Sequence, residues 1–347
     1  MTTPMEKVLV TGGAGLIGIH VCRELLRRGI RPHLYDLPEQ IARARGYLPE
    51  GAVAIGGSIL DRAMLRDAIQ GCQGVIHLAA YLGVRRTETN KLRCLHINID
   101  GTQNIMECAV QDHISRLVFA SSSEVYGEPA ANPVDESVPT QGKTIYAVTK
   151  LAGEEMCKAY AQRYPFLQYT ILRYFNTFGP YQVAQFVIPK FIRNVMQDKP
   201  PVIYGDGRQL RSYCYVEDTA WATVEALLRE DTRHAVINVG NDRNRVSLTE
   251  LARTIIRLAG KEADLEPVFQ GRFANTDREA LREVYTRYCD IARARELLDF
   301  NPRFSLEQGL RRVIEHGVFH PRWDGADLDY TLDDWLIWQR GQEEVQV

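Results

Sequence analysis

The sequence predicts an α/β fold, a doubly wound parallel sheet followed by a smaller C-terminal mixed α/β lobe. Three observations carry that expectation. Apolar runs of strand length alternate with stretches of helical periodicity up to about residue 178. A glycine-rich turn joins the first run to the first helical stretch. Beyond residue 178 the rhythm breaks into shorter elements between turn clusters.

Lys7–Thr11 is an apolar run ending in glycines and reads as a buried strand. Leu16–Arg28 places Leu16, Ile17, Val21, Leu25 and Leu26 at helical spacing and stops at Gly29. Pro32–Tyr35, ending at Asp36, and Ala52–Ile55 read as the second and third strands. Asp61–Gln70 reads as a helix capped by Asp61 and closed by Gly71. A strand at Val75–Ala80, a helix at Leu95–Val110, a strand at Leu117–Ser121, a helix at Tyr146–Arg163 and a strand at Tyr169–Tyr174 follow. This alternation implies βαβ units and a parallel sheet with helices on both faces. Part of 208–240 is expected to complete the sheet. In the lobe, Gly179-Pro180, Pro200-Pro201 and Gly205-Asp206-Gly207 mark turns. Ser247-Leu-Thr-Glu250 and Ser305-Leu-Glu-Gln308 are capping boxes that each start a helix. The acidic end, Trp323–Val347, holds Trp323, Trp335 and Trp338 and is expected to dock partly as a helix.

Composition narrows the function classes. The 347 residues are 45% hydrophobic and 25% charged, which is ordinary for a globular chain. Forty-two Lys+Arg against forty-four Asp+Glu gives a formal charge of −2, so no nucleic-acid partner is expected. Arg85-Arg86 is too short a basic run to change that. The longest apolar stretches, such as Val75–Tyr81, are strand-sized, so no membrane span is expected. Nothing near Met1 resembles a signal peptide, and seven scattered cysteines without a C-x-x-C pair suit reduced thiols; a cytoplasmic protein is expected. His316 and His320 are four apart, but Gly317 and Pro321 end the helix there and no third ligand is evident. No metal is expected.

Thr11-Gly12-Gly13-Ala14-Gly15-Leu16-Ile17-Gly18 places G-x-x-G-x-x-G between the first strand and the first helix. In that context, Gly12 permits the tight turn, Gly15 lets a pyrophosphate approach the backbone, and Gly18 lets the helix pack close. The helix N-terminus then faces the anion with free N–H groups. Asp36 ends the second strand eighteen residues after Gly18. A carboxylate there accepts both adenosine ribose hydroxyls and repels a 2′-phosphate, which selects NAD over NADP. Ser58-Ile59 is expected beside the adenine, and the fold is of Rossmann type. His77, ending a buried strand, is expected to be a satisfied polar group beneath the cofactor.

Tyr146-Ala-Val-Thr-Lys150 opens the long helix, with both functional side chains on one face. A free tyrosine has a pKa near 10, and a nearby ammonium and a positive nicotinamide both favour its phenolate. Such a pair can take a proton from a sugar hydroxyl as hydride leaves the same carbon. Ser122, within Ser121-Ser122-Ser123-Glu124 at a strand's carboxyl end, can hydrogen-bond the reacting oxygen.

TGGAGLIG, Asp36, HLAA (77–80), SSSEVYG (121–127), YAVTK (146–150), LRYFNTFGP (172–180) and YGDGRQLRSYCYVEDTA (204–220) stand in order. Together they resemble the extended short-chain dehydrogenase/reductases, specifically the nucleotide-sugar epimerase/dehydratase group, from about residue 6 to 318. The resemblance implies an NAD-binding domain over 1–178, a mainly substrate-binding lobe over 179–318 and an extension over 319–347. It implies NAD contacts from Gly12, Gly15, Leu16, Ile17, Gly18, Asp36, Ser58, Ile59, Leu78, Ala80, Tyr146 and Lys150. Ser122 and Tyr146 would act on the sugar 4-hydroxyl, and Ser123 and Asn176 would bind the sugar nucleotide. Arg211, with Arg287, would neutralise its pyrophosphate. Phe186–Phe191 and Val202–Tyr204 would enclose the base and ribose. Ser58 departs from the Asp usual in that family's G-D-I triplet.

The resemblance also frames the reaction. Family dehydratases carry Asp-Glu after the Ser/Thr, where this chain has Ser123-Glu124. The missing acid counts against 4,6-dehydration. Ser-Glu with Arg211 resembles UDP-glucuronate decarboxylases, although the residues after Tyr146 differ from theirs. A 4-epimerase tolerates Glu124 without needing it. Glu124 is then either a structural carboxylate or a substrate-facing one that binds a hydroxyl or removes a proton beside the ketone. The expected activity is epimerisation of a nucleoside-diphosphate sugar through a 4-keto intermediate on resident NAD, with decarboxylase, dehydratase, net reductase and non-catalytic NAD-binding regulator as alternatives. Helices 95–110 and 146–163 carry apolar Ile97, Ile105, Met106, Ala147, Leu151, Met156 and Ala159 on more than one face, so a homodimer built on a four-helix interface is expected.

Overall fold

The computed structural model describes residues 5–180, 182, 186–271 and 284–316. The expected end segment, Trp323–Val347, lies outside them, as does His320. Six strands follow the sequence pattern: β1 (Lys7–Thr11), β2 (Arg31–Asp36), β3 (Val53–Gly56), β4 (Gly74–His77), β5 (Arg116–Ser122) and β6 (Gln168–Tyr174). A seventh, Ala235–Val239, pairs with β6, and the parallel order is Ala235–Val239, β6, β5, β4, β1, β2, β3. The strand order reverses between β1 and β4, the switch point where open α/β sheets bind ligands beyond their carboxyl ends.

Both faces of the sheet are covered, and strand alternation decides which side chain goes where. Val8, Val10, Ile76, Val118 and Leu172 enter one core; Leu9, Val75, Leu117, Phe119 and Ile171 enter the other. Helices Leu16–Arg27 and Val216–Leu228 supply side chains to the first core. Arg62–Ile69, Gly101–Gln111 and Ile145–Arg163 supply the second. Asp61 caps its helix by accepting from Ala63 and Met64 N–H, both at 3.1 Å. A third core joins helices Val187–Met196, Leu248–Leu258 and Leu306–Glu315. The latter two begin with complete capping boxes at Ser247 and Ser305. Strand Leu210–Ser212 lies between antiparallel Arg245–Ser247 and parallel Thr286–Arg287.

Two elements differ from the sequence expectation. β4 stops at His77, so residues 78–80 leave the sheet and turn over the glycine loop. The helix expected over 95–110 starts earlier, at Lys91, and carries a π turn at His96–Asp100 before continuing as Gly101–Gln111. The side chain of Asn98 in that turn is spent on the backbone of Tyr81 instead of facing solvent. Among the described residues no helix is long and apolar enough to cross a membrane.

Candidate active site

The glycine loop is shaped by contacts that leave no room for side chains. Gly12 has φ +68°, and a Cβ on it would stand 2.7 Å from Ala79 N. A Cβ on Gly18 would stand 2.2 Å from Gly12 O and 2.6 Å from Gly13 Cα, so the helix meets the loop directly. Gly15 is different: an added Cβ would meet only Gly12 O, at 3.2 Å. Gly15 is the N-cap of Leu16–Arg27 and offers no side chain to the helix's first N–H groups. A bare helix N-terminus beside an open glycine is the arrangement a pyrophosphate needs.

Asp36 ends β2 beside this loop. Its Oδ2 accepts from Ala14 N–H at 3.0 Å and its Oδ1 from Leu37 N–H at 2.8 Å. Burial pushes its carboxyl up to about 6, against those two hydrogen bonds. Ser58 Oγ accepts from Leu60 N–H at 3.2 Å, and its carbonyl accepts from Tyr35 Oη at 2.8 Å. Ile59 lies under the next helix, where a Cβ on Gly101 would come within 2.5 Å of Ile59 Cδ1. Leu78 N–H donates to Thr11 O at 3.1 Å, and half-buried Leu78 and Ala80 follow β4 across the loop. These residues fit a dinucleotide: a glycine cradle, a helix N-terminus and a carboxylate at the second strand.

The second group of candidates gathers at the end of β5. Ser122 Oγ accepts from Glu124 N–H at 3.2 Å and caps the short turn Ser123–Tyr126; Ser123 is buried. Thr144 caps the helix Ile145–Arg163 by accepting from Ala147 N–H and donates its hydroxyl proton to Glu124 Oε2, both at 3.1 Å. Glu124 is thereby tied to the start of the helix that carries Tyr146 and Lys150. Lys150 Nζ stands 5.7 Å from the Tyr146 ring centre and 5.0 Å from that of Phe119. Burial lowers Lys150 to about 8, opposed by Cys94, Cys157 and Glu154. Burial raises the Tyr146 phenol well above its ordinary value, and Glu124 and Cys94 push it the same way. Burial and a carboxylate thus work against the phenolate, leaving the ammonium and the positive nicotinamide of the sequence expectation to favour it.

His77 is the satisfied polar group expected: Nδ1 pairs with Thr11 Oγ1 at 2.7 Å and Nε2 with Thr102 Oγ1 at 3.1 Å. Sequence reasoning missed Asn98. Its Oδ1 accepts from Tyr81 N–H at 2.6 Å, and its Nδ2 donates to Tyr81 O and Thr149 Oγ1, both at 3.0 Å. Asn98 therefore holds the segment after β4 against the Tyr146–Lys150 turn. Helical periodicity carries no signal for such a position.

The lobe side is formed by three more candidates. Asn176 adopts φ +24°, in the left-handed region, and its Oδ1 is buried without a partner among the described residues. Arg211 and Arg287 are register partners on adjacent strands. Arg211 donates to the carbonyls of Leu210, Val284 and Tyr285, and buried Arg287 donates to Gly127 O at 3.4 Å. Ile188, Phe191 and Ile203 are buried in the lobe core rather than open to a ligand. No group of three or more His, Cys, Asp or Glu suited to a metal occurs among the described residues.

The fold and this site are those of an NAD-dependent enzyme on a short-chain dehydrogenase scaffold. The profile of the NAD dependent epimerase/dehydratase family matches residues 8–240, and the chain belongs to that family. It is 32% identical over 322 residues to UDP-N-acetyl-alpha-D-glucosaminuronate decarboxylase of Bacillus cytotoxicus, covering 89% of this chain and 97% of that one. It is 33% identical over 321 residues to UDP-glucuronate 4-epimerase of Thermodesulfobacterium geofontis, covering 89% and 95%. Among solved structures, UDP-glucuronic acid 4-epimerase of Bacillus cereus, in complex with UDP-glucuronic acid and NAD, superposes with a TM-score of 0.79 at 28% identity, over 89% of this chain and 98% of that one.

Proposed function

We propose that the chain epimerises a nucleoside-diphosphate sugar at carbon 4 through a 4-keto intermediate. One observation carries the reading: Tyr146 and Lys150 lie one helical turn apart on a helix whose N-cap, Thr144, bonds Glu124 in the turn that Ser122 caps at the end of β5. NAD, when bound, supplies the hydride acceptor and donor at that carbon. Gly12 and Gly15 would seat its pyrophosphate, Gly18 would hold the helix close to the loop, and Leu16, Ile17, Leu78 and Ala80 would line the dinucleotide. Asp36 would hold the adenosine ribose, and Ser58 and Ile59 would flank the adenine. Ser122 Oγ fixes the sugar 4-oxygen, and Tyr146 Oη takes its proton and later returns it. Burial and Glu124 oppose ionisation of Tyr146, so the proton transfer depends on positive charge at its other side. Lys150 supplies it: at about 8 its ammonium persists at neutral pH. Inversion requires the ketosugar to present its other face between the two hydride transfers. Asn176 and Ser123 would hold the sugar nucleotide, and Arg211, with Arg287, would neutralise its pyrophosphate.

The likeness to UDP-N-acetyl-alpha-D-glucosaminuronate decarboxylase supports a second reading, decarboxylation of a uronic acid sugar, in which Glu124 would face the carbon beside the ketone. Incubation with UDP-glucose, UDP-glucuronate and UDP-N-acetylglucosaminuronate in deuterated buffer, read by NMR, separates the two. A C4 epimer without solvent deuterium supports epimerisation; a pentose product or carbon 5 deuteration supports the second reading.

The same reading includes a homodimer. Ile105, Met106 and Ala147 are buried within the chain, and Ile97, Leu151 and Met156 are half-buried, so the apolar surface left on the two helices is Leu92, 75% exposed, Val148, 44% exposed, and Ala159. Seven free, buried cysteines support a cytoplasmic setting.

A further inference from the structure

The helix Ile145–Arg163 carries another functional group on the face that holds Tyr146 and Lys150. Glu154 follows Lys150 by four residues and lies one turn further along. It is 1% exposed, and both carboxylate oxygens are engaged. Ser121 Oγ donates to Oε1 at 2.5 Å; Arg173 donates from Nε to Oε1 at 2.9 Å and from Nη2 to Oε2 at 2.7 Å. Ser121 and Arg173 are register partners on β5 and β6. One carboxylate thus ties the helix to two strands, at the residue next to Ser122. Arg173 is held in turn: its Nη1 donates to Tyr126 Oη at 2.9 Å, which donates to Asn238 Oδ1 at 2.7 Å.

A buried ion pair is a poor way to gain stability, because two desolvated charges recover little more than they lose, and an apolar pair of similar volume holds a helix on a sheet as well. What an arginine fork adds is direction. Two parallel hydrogen bonds fix the plane of the carboxylate and with it the rotation of the helix about its axis. That rotation aims Tyr146 and Lys150.

We propose that the Glu154–Arg173 pair is a positioning device for the reaction, setting Tyr146 and Lys150 against Ser122 without touching substrate or cofactor. The kinetic part of its test rests on the epimerase reading; the structural part does not. Glu154→Gln alone leaves the Arg173 charge buried and uncompensated, so the informative variant is the double Glu154→Leu/Arg173→Met, which removes both charges and keeps the volume. It is expected to fold with a near-wild-type Tm. Its kcat with UDP-glucose or UDP-glucuronate falls at least about tenfold, because a misplacement of about 1 Å costs up to about 10²-fold. KM and NAD content stay within about twofold of wild type. Hydrogen exchange on the NAD-loaded protein, which needs no substrate, is expected to be faster in peptides covering 121–126 and 145–150. Wild-type exchange in both peptides overturns the proposal whatever kcat does, and so does a wild-type kcat. Failure of the double variant to fold also overturns it, since the charges would then serve the fold. If the wild-type chain converts neither sugar, the epimerase reading fails and the exchange measurement alone decides the role of the pair.

Discussion

Two alanine substitutions three residues apart, Gly18→Ala and Gly15→Ala, separate the fold of the glycine loop from its ligand. At Gly18 the new Cβ would stand 2.2 Å from Gly12 O, where an ordinary contact starts at about 3.4 Å, so loop and helix must part by roughly 1 Å. Both colliding groups are backbone and cannot rotate away. Overpacking of this kind costs about 1–3 kcal/mol. At Gly15 the Cβ meets one atom, Gly12 O, at 3.2 Å, which a shift of a few tenths of an ångström relieves, so the stability cost should be well below that of Gly18→Ala. The methyl group would instead occupy the space assigned to the pyrophosphate. NAD affinity is expected to fall at least tenfold, about 1.4 kcal/mol. Denaturant unfolding measures the first effect and titration calorimetry with NAD the second. Wild-type NAD affinity in Gly15→Ala would refute the placement of the pyrophosphate, and unchanged stability in Gly18→Ala would refute the close packing.

Acid should destabilise the protein through two buried histidines. Burial depresses His20, helped by Arg23, Arg27 and His316, and His77, helped by Lys150, each to about 3. Their folded values lie below the unfolded 6.5, so the stability is present above 6.5 and lost as pH falls toward 3, by about 2 kcal/mol each at pH 5. Asp36, raised to about 6, acts in the opposite direction, so His20→Gln/His77→Gln must be compared with wild type at each pH by urea unfolding; equal slopes from pH 7 to 5 would refute the assignment. Glu124→Gln removes a charge that opposes Tyr146 ionisation, so the acidic limb of the kcat profile should move to lower pH with turnover within about tenfold of wild type; a collapse of turnover would give Glu124 a direct chemical role. Leu92→Glu/Val148→Glu should convert a dimer to monomer in sedimentation, and a wild-type monomer at micromolar concentration would remove the dimer altogether.

The sheet and the cofactor cradle were legible because each is written locally. Strand alternation sorts Val8 and Val10 from Leu9, and Gly12, Gly15 and Gly18 sit where a strand hands over to a helix. Ser247 and Ser305 announce their helices within four residues. What escaped depends on partners distant in sequence. Asn98 looks like an ordinary helical position until Tyr81 and Thr149 are brought to it. Glu154 and Arg173 carry no local signal of a pair until β5 and β6 place Ser121 and Arg173 side by side under the helix. The burial of Tyr146 and the nearness of Glu124, twenty-two residues away in sequence, escaped as well.

The central claim is that Tyr146 takes the sugar's 4-hydroxyl proton while hydride moves between carbon 4 and bound NAD. Absorbance at 340 nm, followed by stopped flow as nucleotide sugar is mixed with NAD-loaded protein, tests it most directly. Wild type should show a transient band that decays as the epimer forms. Tyr146→Phe should retain its NAD and develop the band at least about 10²-fold more slowly. A Tyr146→Phe protein that develops it at the wild-type rate, or a wild type that turns over sugar with no band at any concentration and no NAD bound, would contradict the account.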